Sequence, residues 1–147
     1  MINVIVQTDY ACLDRLSRIE TYLAIAKVIS MRGTCRRARV GCVITIENRI
    51  VATGYNGSLL DTHCLECNTS EKCKDAIHAE GNAIAFAAKH GIALLGGILY
   101  CTHQPCMECA KLIIQAGIKS VMYLEKYTGE DSTHFLRLNN VSIDQHG

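Results

Sequence analysis

Two short motifs, each followed by an apolar helix-forming run, constrain this chain more than any other feature. The first is His78-Ala79-Glu80 and the second is Pro105-Cys106-Met107-Glu108-Cys109. Imidazole and thiolate are typical zinc ligands, and a catalytic zinc site has three protein ligands with a fourth position open to water. His78, Cys106 and Cys109 supply three ligands. The fold is therefore predicted to bring both motifs to one metal ion.

The remaining motif residues have chemical roles at such a site. Pro105 is typical of the opening of a helix, and the positive end of a helix stabilises thiolates such as those of Cys106 and Cys109. Glu80 lies two residues after His78, where a first helical turn can direct both side chains to the metal. Zinc lowers the pKa of a bound water, and a neighbouring carboxylate can transfer its protons. Glu80 is therefore predicted to be the catalytic acid and base.

A closed structural zinc site, or a buried thiol pair near an unrelated histidine, is the alternative interpretation. A structural site takes four protein ligands, whereas these motifs supply three ligands and an acid. The order H-x-E followed by P-C-x-x-C is the established signature of enzymes that hydrolyse the amino group of cytosine or adenine. The sequence therefore favours hydrolytic deamination.

Length and composition indicate one enzyme domain over residues 1–147. The chain is 49% hydrophobic, with a formal net charge of +1, which suits a single core and no broad nucleic-acid surface. No segment approaches the roughly 20 apolar residues that span a bilayer, and no signal peptide is evident. We therefore expect a cytoplasmic protein with no membrane partner. Its nine cysteines are expected to be reduced, with Cys42 and Cys101 buried in the core.

Hydrophobic periodicity predicts alternating helices and strands in a mixed α/β order. Helices are expected at residues 14–31, 78–91, 106–116 and 130–139, and strands at 40–46, 50–53, 98–101, 121–124 and 141–143. The first two strands are expected to form a hairpin around Glu47-Asn48-Arg49. The inward face of the first helix is predicted to comprise Leu16, Ile19, Leu23, Ala26 and Ile29.

Four arginines surround Gly33-Thr34-Cys35, between the first helix and the first strand. They are Arg32, Arg36, Arg37 and Arg39. Guanidinium groups bind phosphate through paired hydrogen bonds, so the cluster suggests a phosphorylated substrate. A solvated loop or a subunit contact is the alternative.

The chain resembles the deoxycytidylate (dCMP) deaminases of the cytidine deaminase superfamily. The zinc motifs carry the resemblance to the superfamily. The resemblance to this branch rests on residues 32–37 (RGTCRR), 40–44 (VGCVI), 54–57 (GYNG), 63–64 (HC), 78–84 (HAEGNAI), 105–111 (PCMECAK) and 116–118 (AGI). The sequence departs from the family pattern at residues 58–62 (SLLDT), where an Ala-Pro-containing stretch is usual.

This resemblance implies a three-layer α/β/α fold with a five-stranded mixed sheet, and zinc-dependent hydrolysis of dCMP to dUMP and ammonia, a step that supplies precursor for dTMP synthesis. It also implies that Asn56 contacts the sugar hydroxyl and that the backbone of Ala79 contacts the pyrimidine carbonyl. A turn residue in a tight Asn-Gly pair is the alternative interpretation of Asn56, and both roles can coexist. The weaker transfers are Thr34 with Arg32 or Arg36 at the phosphate, and Tyr123 or Tyr127 as residues that close the pocket.

Assembly and regulation are further implications of the resemblance. Family members are often hexamers that dCTP activates and dTTP inhibits, at a site that here would include Tyr55, Asn56 and Gly57. The altered segment after Gly57 leaves open whether dCTP is an effector, an additional substrate or neither.

A second, structural zinc is a separate hypothesis. Its candidate ligands are His63, Cys64, Cys67 and Cys73, with Cys35 and His103 as substitutes. Four soft ligands close together can order a polar loop around zinc, and free loop thiols are the alternative.

Three other functions remain as alternatives. A tRNA adenosine deaminase shares the zinc motifs but is expected to carry a more basic surface. A cytidine nucleoside deaminase would not need the arginine cluster. A zinc-stabilised regulatory module would not need Glu80.

Overall fold

The protein is described by a computed structural model at residues 15–35, 37–59, 76–127 and 131–147. The helices are α1 (Arg18–Ser30), α2 (Ala79–Lys89), α3 (Met107–Gln115) and α4 (Thr133–Leu138). The strands are β1 (Gly41–Ile46), β2 (Arg49–Tyr55), β3 (Gly57–Ser58), β4 (Ala76–Ile77), β5 (Ile98–His103), β6 (Ser120–Glu125) and β7 (Ser142–Gln145).

Five of these strands form one mixed sheet in the order β2-β1-β5-β6-β7. Strand β1 runs antiparallel to β2 and β5, whereas β5, β6 and β7 are mutually parallel. Helix α1 packs on one face, and α2, α3 and α4 contribute to the core on the other. The predicted three-layer α/β/α architecture with a five-stranded mixed sheet is confirmed.

The two core clusters follow the alternation of side chains along the strands. Val43 and Tyr100 face α1, whereas Cys42, Leu99 and Cys101 face the layer that holds α2 and α3. Successive strand residues point to opposite faces, so the nearly continuous apolar run of β1 covers both. The prediction that Cys42 and Cys101 are buried is confirmed, and burial raises the pKa of both thiols.

Helix α1 begins at Arg18, later than predicted, because Ser17 and Glu20 form a capping box. The Ser17 hydroxyl accepts the Glu20 N–H at 3.2 Å, and the Glu20 carboxylate accepts the Ser17 N–H at 2.7 Å. These bonds satisfy backbone donors that a helix start otherwise leaves unpaired. Leu16 therefore precedes the helix and is 58% exposed, so its predicted place on the inward face was wrong.

The β1–β2 hairpin was predicted correctly, but its turn is shorter than expected. Glu47 and Asn48 have positive φ angles of 49° and 61°, and Arg49 already pairs with Ile46. Two consecutive positive φ angles match the twist of a two-residue hairpin. Arg49 therefore belongs to β2 and not to the turn.

Strands β3 and β4 form a separate two-stranded sheet that was not among the predicted strands. Gly57 pairs with Ile77 and Ser58 with Ala76. Two-residue strands carry too little periodicity to be predicted. This pairing fixes the chain immediately before His78. The remaining elements differ from the predicted bounds by a few residues at their ends.

Candidate active site

The two predicted motifs lie at corresponding places on α2 and α3. His78 is the N-cap of α2 and Cys106 is the N-cap of α3, and both have extended backbone angles. Neither side chain makes the usual capping hydrogen bond. Glu80 and Cys109 follow in the first turn of their respective helices. Pro105 is the residue before the N-cap of α3, two positions before the first helical residue, Met107.

The three predicted zinc ligands converge. His78 Nδ1 lies 3.3 Å from Cys106 Sγ and 3.5 Å from Cys109 Sγ. Tetrahedral zinc with ordinary Zn–N and Zn–S bonds requires ligand atoms about 3.5 Å apart. Within the described residues, this is the one cluster of histidine, cysteine and acidic side chains close enough to hold a metal. The donor set and its spacing fit zinc.

The two thiols are electrostatically unequal without a metal. A hydrogen bond from Cys109 lowers the pKa of Cys106 to about 3, whereas the same bond raises the pKa of Cys109. One thiolate and one thiol therefore share a proton at neutral pH. Binding of zinc favours deprotonation of both, so it is expected to release a proton.

Glu80 is buried beside this cluster, with 4% of its surface exposed. Burial raises the pKa of its carboxyl, while His78 and a hydrogen bond with Cys109 act in the opposite direction. A raised pKa makes a carboxyl a better base when ionised and keeps its proton available for donation when protonated. Its position and environment suit the predicted acid–base role.

A cavity of about 420 Å³, the active-site cavity, opens beside the cluster. His78, Glu80 and Cys106 line it, which leaves one side of the metal position open to a small molecule. Arg37, His103 and Lys126 bring basic groups to it, and Tyr127 an aromatic ring. An open side distinguishes a catalytic zinc site from a closed structural one.

Asn56 and Ala79 both line this cavity, where the family resemblance places them. The Asn56 side chain accepts the Val40 N–H and donates to the Ala38 carbonyl, each at 2.8 Å. Asn56 therefore also holds the loop before β1 in place. The Ala79 carbonyl accepts the Cys42 thiol at 3.2 Å. Contacts of Asn56 and Ala79 with a nucleotide stay predictions.

Thr34 and Arg32 are not among the residues that line the active-site cavity. The Thr34 hydroxyl accepts the Ser58 N–H at 3.0 Å, and the Arg32 guanidinium lies over the Tyr55 ring, 6.0 Å from its centre. Thr34 thus supports the turn around Gly57, and Arg32 lies against the end of β2. Arg36 lies outside the described residues.

A different arginine of the cluster, and one of the two predicted tyrosines, line the active-site cavity. Arg37 lines the active-site cavity, although the sequence analysis did not single it out within its cluster. Tyr127 lines the cavity, whereas Tyr123 is 6% exposed and packs in the core. The alternation of buried residues along β6 directs Tyr123 into the core together with Val121. This pattern could have favoured Tyr127, which lies after the strand, as the residue at the cavity.

The hypothesis of a second zinc falls mainly outside the described residues. His63, Cys64, Cys67 and Cys73 all lie there. Of the substitutes, Cys35 lines the active-site cavity, and His103 bonds to Glu125 through Nε2 at 3.3 Å and contacts the Thr102 hydroxyl at 3.0 Å.

Comparison with known proteins agrees with this geometry. Residues 16–125 match the model of the cytidine and deoxycytidylate deaminase zinc-binding region. ComE operon protein 2 of Bacillus subtilis (strain 168) is 40% identical over 119 residues, which are 78% of this chain and 63% of that protein. The deoxycytidylate deaminase of Enterobacteria phage T2 is 34% identical, over 75% of this chain and 81% of that protein.

A solved structure is similar over a larger share of the chain. The dCMP deaminase of cyanophage S-TIM5, in complex with dCMP and dUMP, superposes with a TM-score of 0.82 and 32% identity. The match covers 90% of this chain and 100% of the cyanophage chain. Fold and site together define a zinc-dependent deaminase domain. The chain belongs to the cytidine and deoxycytidylate deaminase family.

Proposed function

We propose that this protein is an enzyme that hydrolyses dCMP to dUMP and ammonia. The observation that carries this function is the arrangement of His78, Cys106 and Cys109 around an open position, with buried Glu80 beside it in a nucleotide-sized cavity. Family membership and the dCMP and dUMP bound to the cyanophage relative support the substrate. The product would supply precursor for dTMP synthesis.

The chain's own residues divide the chemistry between them. His78, Cys106 and Cys109 would hold zinc, which would supply Lewis-acid activation of water. Glu80 would take up the first proton of the water and deliver it to the ring nitrogen of cytosine. It would then move the second proton of the same water, from the hydroxyl on the reacting carbon, to the departing amine. Water is consumed and ammonia leaves, so no further reactant is needed. The buried position of Glu80 limits loss of the proton to solvent.

The phosphate end of the substrate is assigned to the basic groups of the active-site cavity. Arg37 and Lys126 are the candidates, because a guanidinium or ammonium can pair with a phosphate there. Asn56 is the candidate for the sugar hydroxyl, and the Ala79 backbone for the pyrimidine carbonyl. Thr34, with Arg32 or Arg36, stays a candidate from the family resemblance, although neither Thr34 nor Arg32 lines this cavity.

Parallel assays with cytidine, dCMP and dCTP test the function. Zinc-loaded protein is incubated with each, and loss of cytosine absorbance is followed. Turnover of dCMP is expected. Turnover of dCTP would make residues 58–62 a substrate determinant, and turnover of cytidine alone would replace the proposal with nucleoside deamination. No turnover of any of the three would contradict it and return attention to an adenosine substrate or a non-catalytic role.

Nucleotide regulation is supported by a second cavity, of about 350 Å³, on the outer side of α2. Tyr55 and Gly57 line it together with Asn82, Phe86 and Lys89. Tyr55 and Gly57 are two of the predicted effector residues, and Lys89 offers a charge for a phosphate. Activation by dCTP and inhibition by dTTP would appear as shifts of the dCMP saturation curve. Unchanged curves would remove regulation from the proposal.

The remaining parts of the proposal concern assembly, location and the second metal. A homo-oligomer, as large as a hexamer, is proposed on family resemblance and is tested by light scattering.

None of the described helices has the length and apolar character needed to traverse a bilayer. A cytoplasmic location is proposed. Zinc counting under reducing conditions tests the second site, because one zinc per chain would eliminate it.

A further inference from the structure

Gln104 lines the active-site cavity just before the predicted zinc ligand Cys106, and both ends of its side-chain amide bond to the segment from Tyr127 to α4. Its Nε2 donates to Asp131 Oδ1 at 2.7 Å and to the Thr133 hydroxyl at 3.0 Å, and its Oε1 accepts the Tyr127 N–H at 3.4 Å. An ionised carboxylate can only accept hydrogen bonds, so the partner Asp131 fixes which end of the amide faces which group. Gln104 is 7% exposed, and its bond to Asp131 is charge-assisted.

Two further bonds hold the same segments together. The Gln104 N–H donates to the Glu125 carbonyl at 2.8 Å. The hydroxyl of Ser132, which is fully buried, donates to the Pro105 carbonyl at 2.6 Å. The residues immediately before the ligand Cys106 are thus tied both to the end of β6 and to the start of α4.

The segment that follows β6, which these bonds hold, carries two residues that line the active-site cavity. Lys126 and Tyr127 lie just beyond the end of β6, so strand pairing does not position them. Both line the cavity that contains His78 and Glu80. The side chain of Gln104 contacts the backbone of Tyr127 directly, and it is therefore placed to set the distance of this wall from the metal ligands.

We propose that Gln104 is a positioning residue for nucleotide binding, which holds Lys126 and Tyr127 at the cavity through its bonds to Tyr127 and Asp131. It sets the KM for the substrate and leaves the chemical step at Glu80 unchanged. The inference rests on the proposed deamination of dCMP and deepens it. A glutamine of purely structural importance would instead affect stability and zinc content.

Gln104→Glu tests the proposal, because it keeps the side-chain shape, removes the donor and places a second carboxylate beside Asp131. Loss of a charge-assisted hydrogen bond predicts a rise in the KM for dCMP of about tenfold, with kcat within about threefold of the original. Zinc content is expected to be unchanged. Gln115→Glu is the matched control, because Gln115 is exposed at the end of α3, and it is expected to leave KM unchanged.

A double variant that exchanges the amide and the carboxylate tests whether Asp131 is the partner of Gln104. In Gln104→Glu combined with Asp131→Asn, the new amide can donate to the new carboxylate, so KM is expected to return toward the original value. If Gln104→Glu does not fold, Asp131→Ala is the alternative variant, because Asp131 is exposed and lies outside the segment before Cys106. It is expected to raise KM while Gln104 is retained.

Hydrogen exchange of the amides around Tyr127 provides a readout that does not depend on activity. Faster exchange in Gln104→Glu, but not in Gln115→Glu, is expected. An unchanged KM in both Gln104→Glu and Asp131→Ala, or a loss confined to kcat, would overturn the inference. If the unmodified protein does not deaminate dCMP, the proposed function fails. Unchanged exchange would then separately overturn the positioning role.

Discussion

Gly54 lies against Ala79 so closely that a Cβ on Gly54 would collide with the Ala79 carbonyl and would lie 2.7 Å from the backbone nitrogen of Ala83. This contact lets β2 approach the first turn of α2, the turn that carries His78 and Glu80 to the metal position. The glycine of the GYNG segment therefore has a packing role at the active site.

Gly54→Ala is expected to lower the free energy of unfolding by about 1–3 kcal/mol, because an added methyl group must displace the backbone of α2. Zinc content should fall with it, since His78 moves. Gly81→Ala is the control within the same helix: its Cβ would meet only ordinary contacts at 3.6 Å, and replacement of glycine in a helix should stabilise by about 0.5–1 kcal/mol. Thermal denaturation and metal analysis measure both, and equal stabilities would contradict the packing role.

Glu80→Gln is expected to reduce kcat by roughly 10²–10⁴-fold, the range that general acid–base catalysis contributes. The amide has the same shape but cannot exchange a proton as the carboxyl does. Zinc content should be retained, because Glu80 is not one of the three ligands. Steady-state kinetics with metal analysis check this. Undiminished turnover would remove Glu80 from the proton transfers.

Arg37→Ala is expected to raise the KM for dCMP roughly tenfold, since a lost ionic hydrogen bond to phosphate carries a free energy of that order. Arg39→Ala is the matched control, because Arg39 belongs to the same arginine cluster, is exposed and is not among the cavity-lining residues. Its KM should not change. A similar effect of both substitutions would indicate a diffuse field from the whole cluster.

The capping box of α1 predicts a pH dependence of stability. Hydrogen bonds with Ser17 lower the pKa of Glu20, so the unfolded chain holds this proton more tightly than the folded one. The stabilisation is therefore complete above the unfolded pKa and is lost as pH falls through the folded value. Glu20→Gln keeps the hydrogen-bonding shape without the charge. The melting temperature should exceed that of the variant at pH 7, and the difference should vanish in acid.

Ser17→Ala measures the cap itself. Loss of a serine N-cap is expected to cost about 1 kcal/mol at neutral pH, measured by denaturant unfolding. For the preceding prediction, a difference in melting temperature between the protein and the Glu20→Gln variant that stays constant with pH would show that the carboxylate charge does not stabilise the helix start.

The order of elements and the metal ligands were predictable because they depend on local signals. Hydrophobic periodicity, which distinguishes helices from strands, can be read from residues that lie close together in the chain. Likewise, His78, Cys106 and Cys109 are recognisable from residue type and spacing. The capping box of α1 was equally local, as Ser17 and Glu20 are three residues apart, but the sequence analysis did not use it. The β3–β4 pairing had no comparable signal, since each strand has two residues and the segments are far apart in sequence.

The amino-acid sequence by itself determined the candidate zinc ligands, the candidate acid and the mixed α/β order, because residue type and short-range spacing specify them. Only the tertiary structure decided which basic and aromatic groups reach the cavity: Arg37 instead of Arg32, and Tyr127 instead of Tyr123. It also joined Gln104 to Asp131. Neighbouring residues of one cluster are chemically alike in the sequence, and the direction in which each points depends on packing between elements distant in the chain.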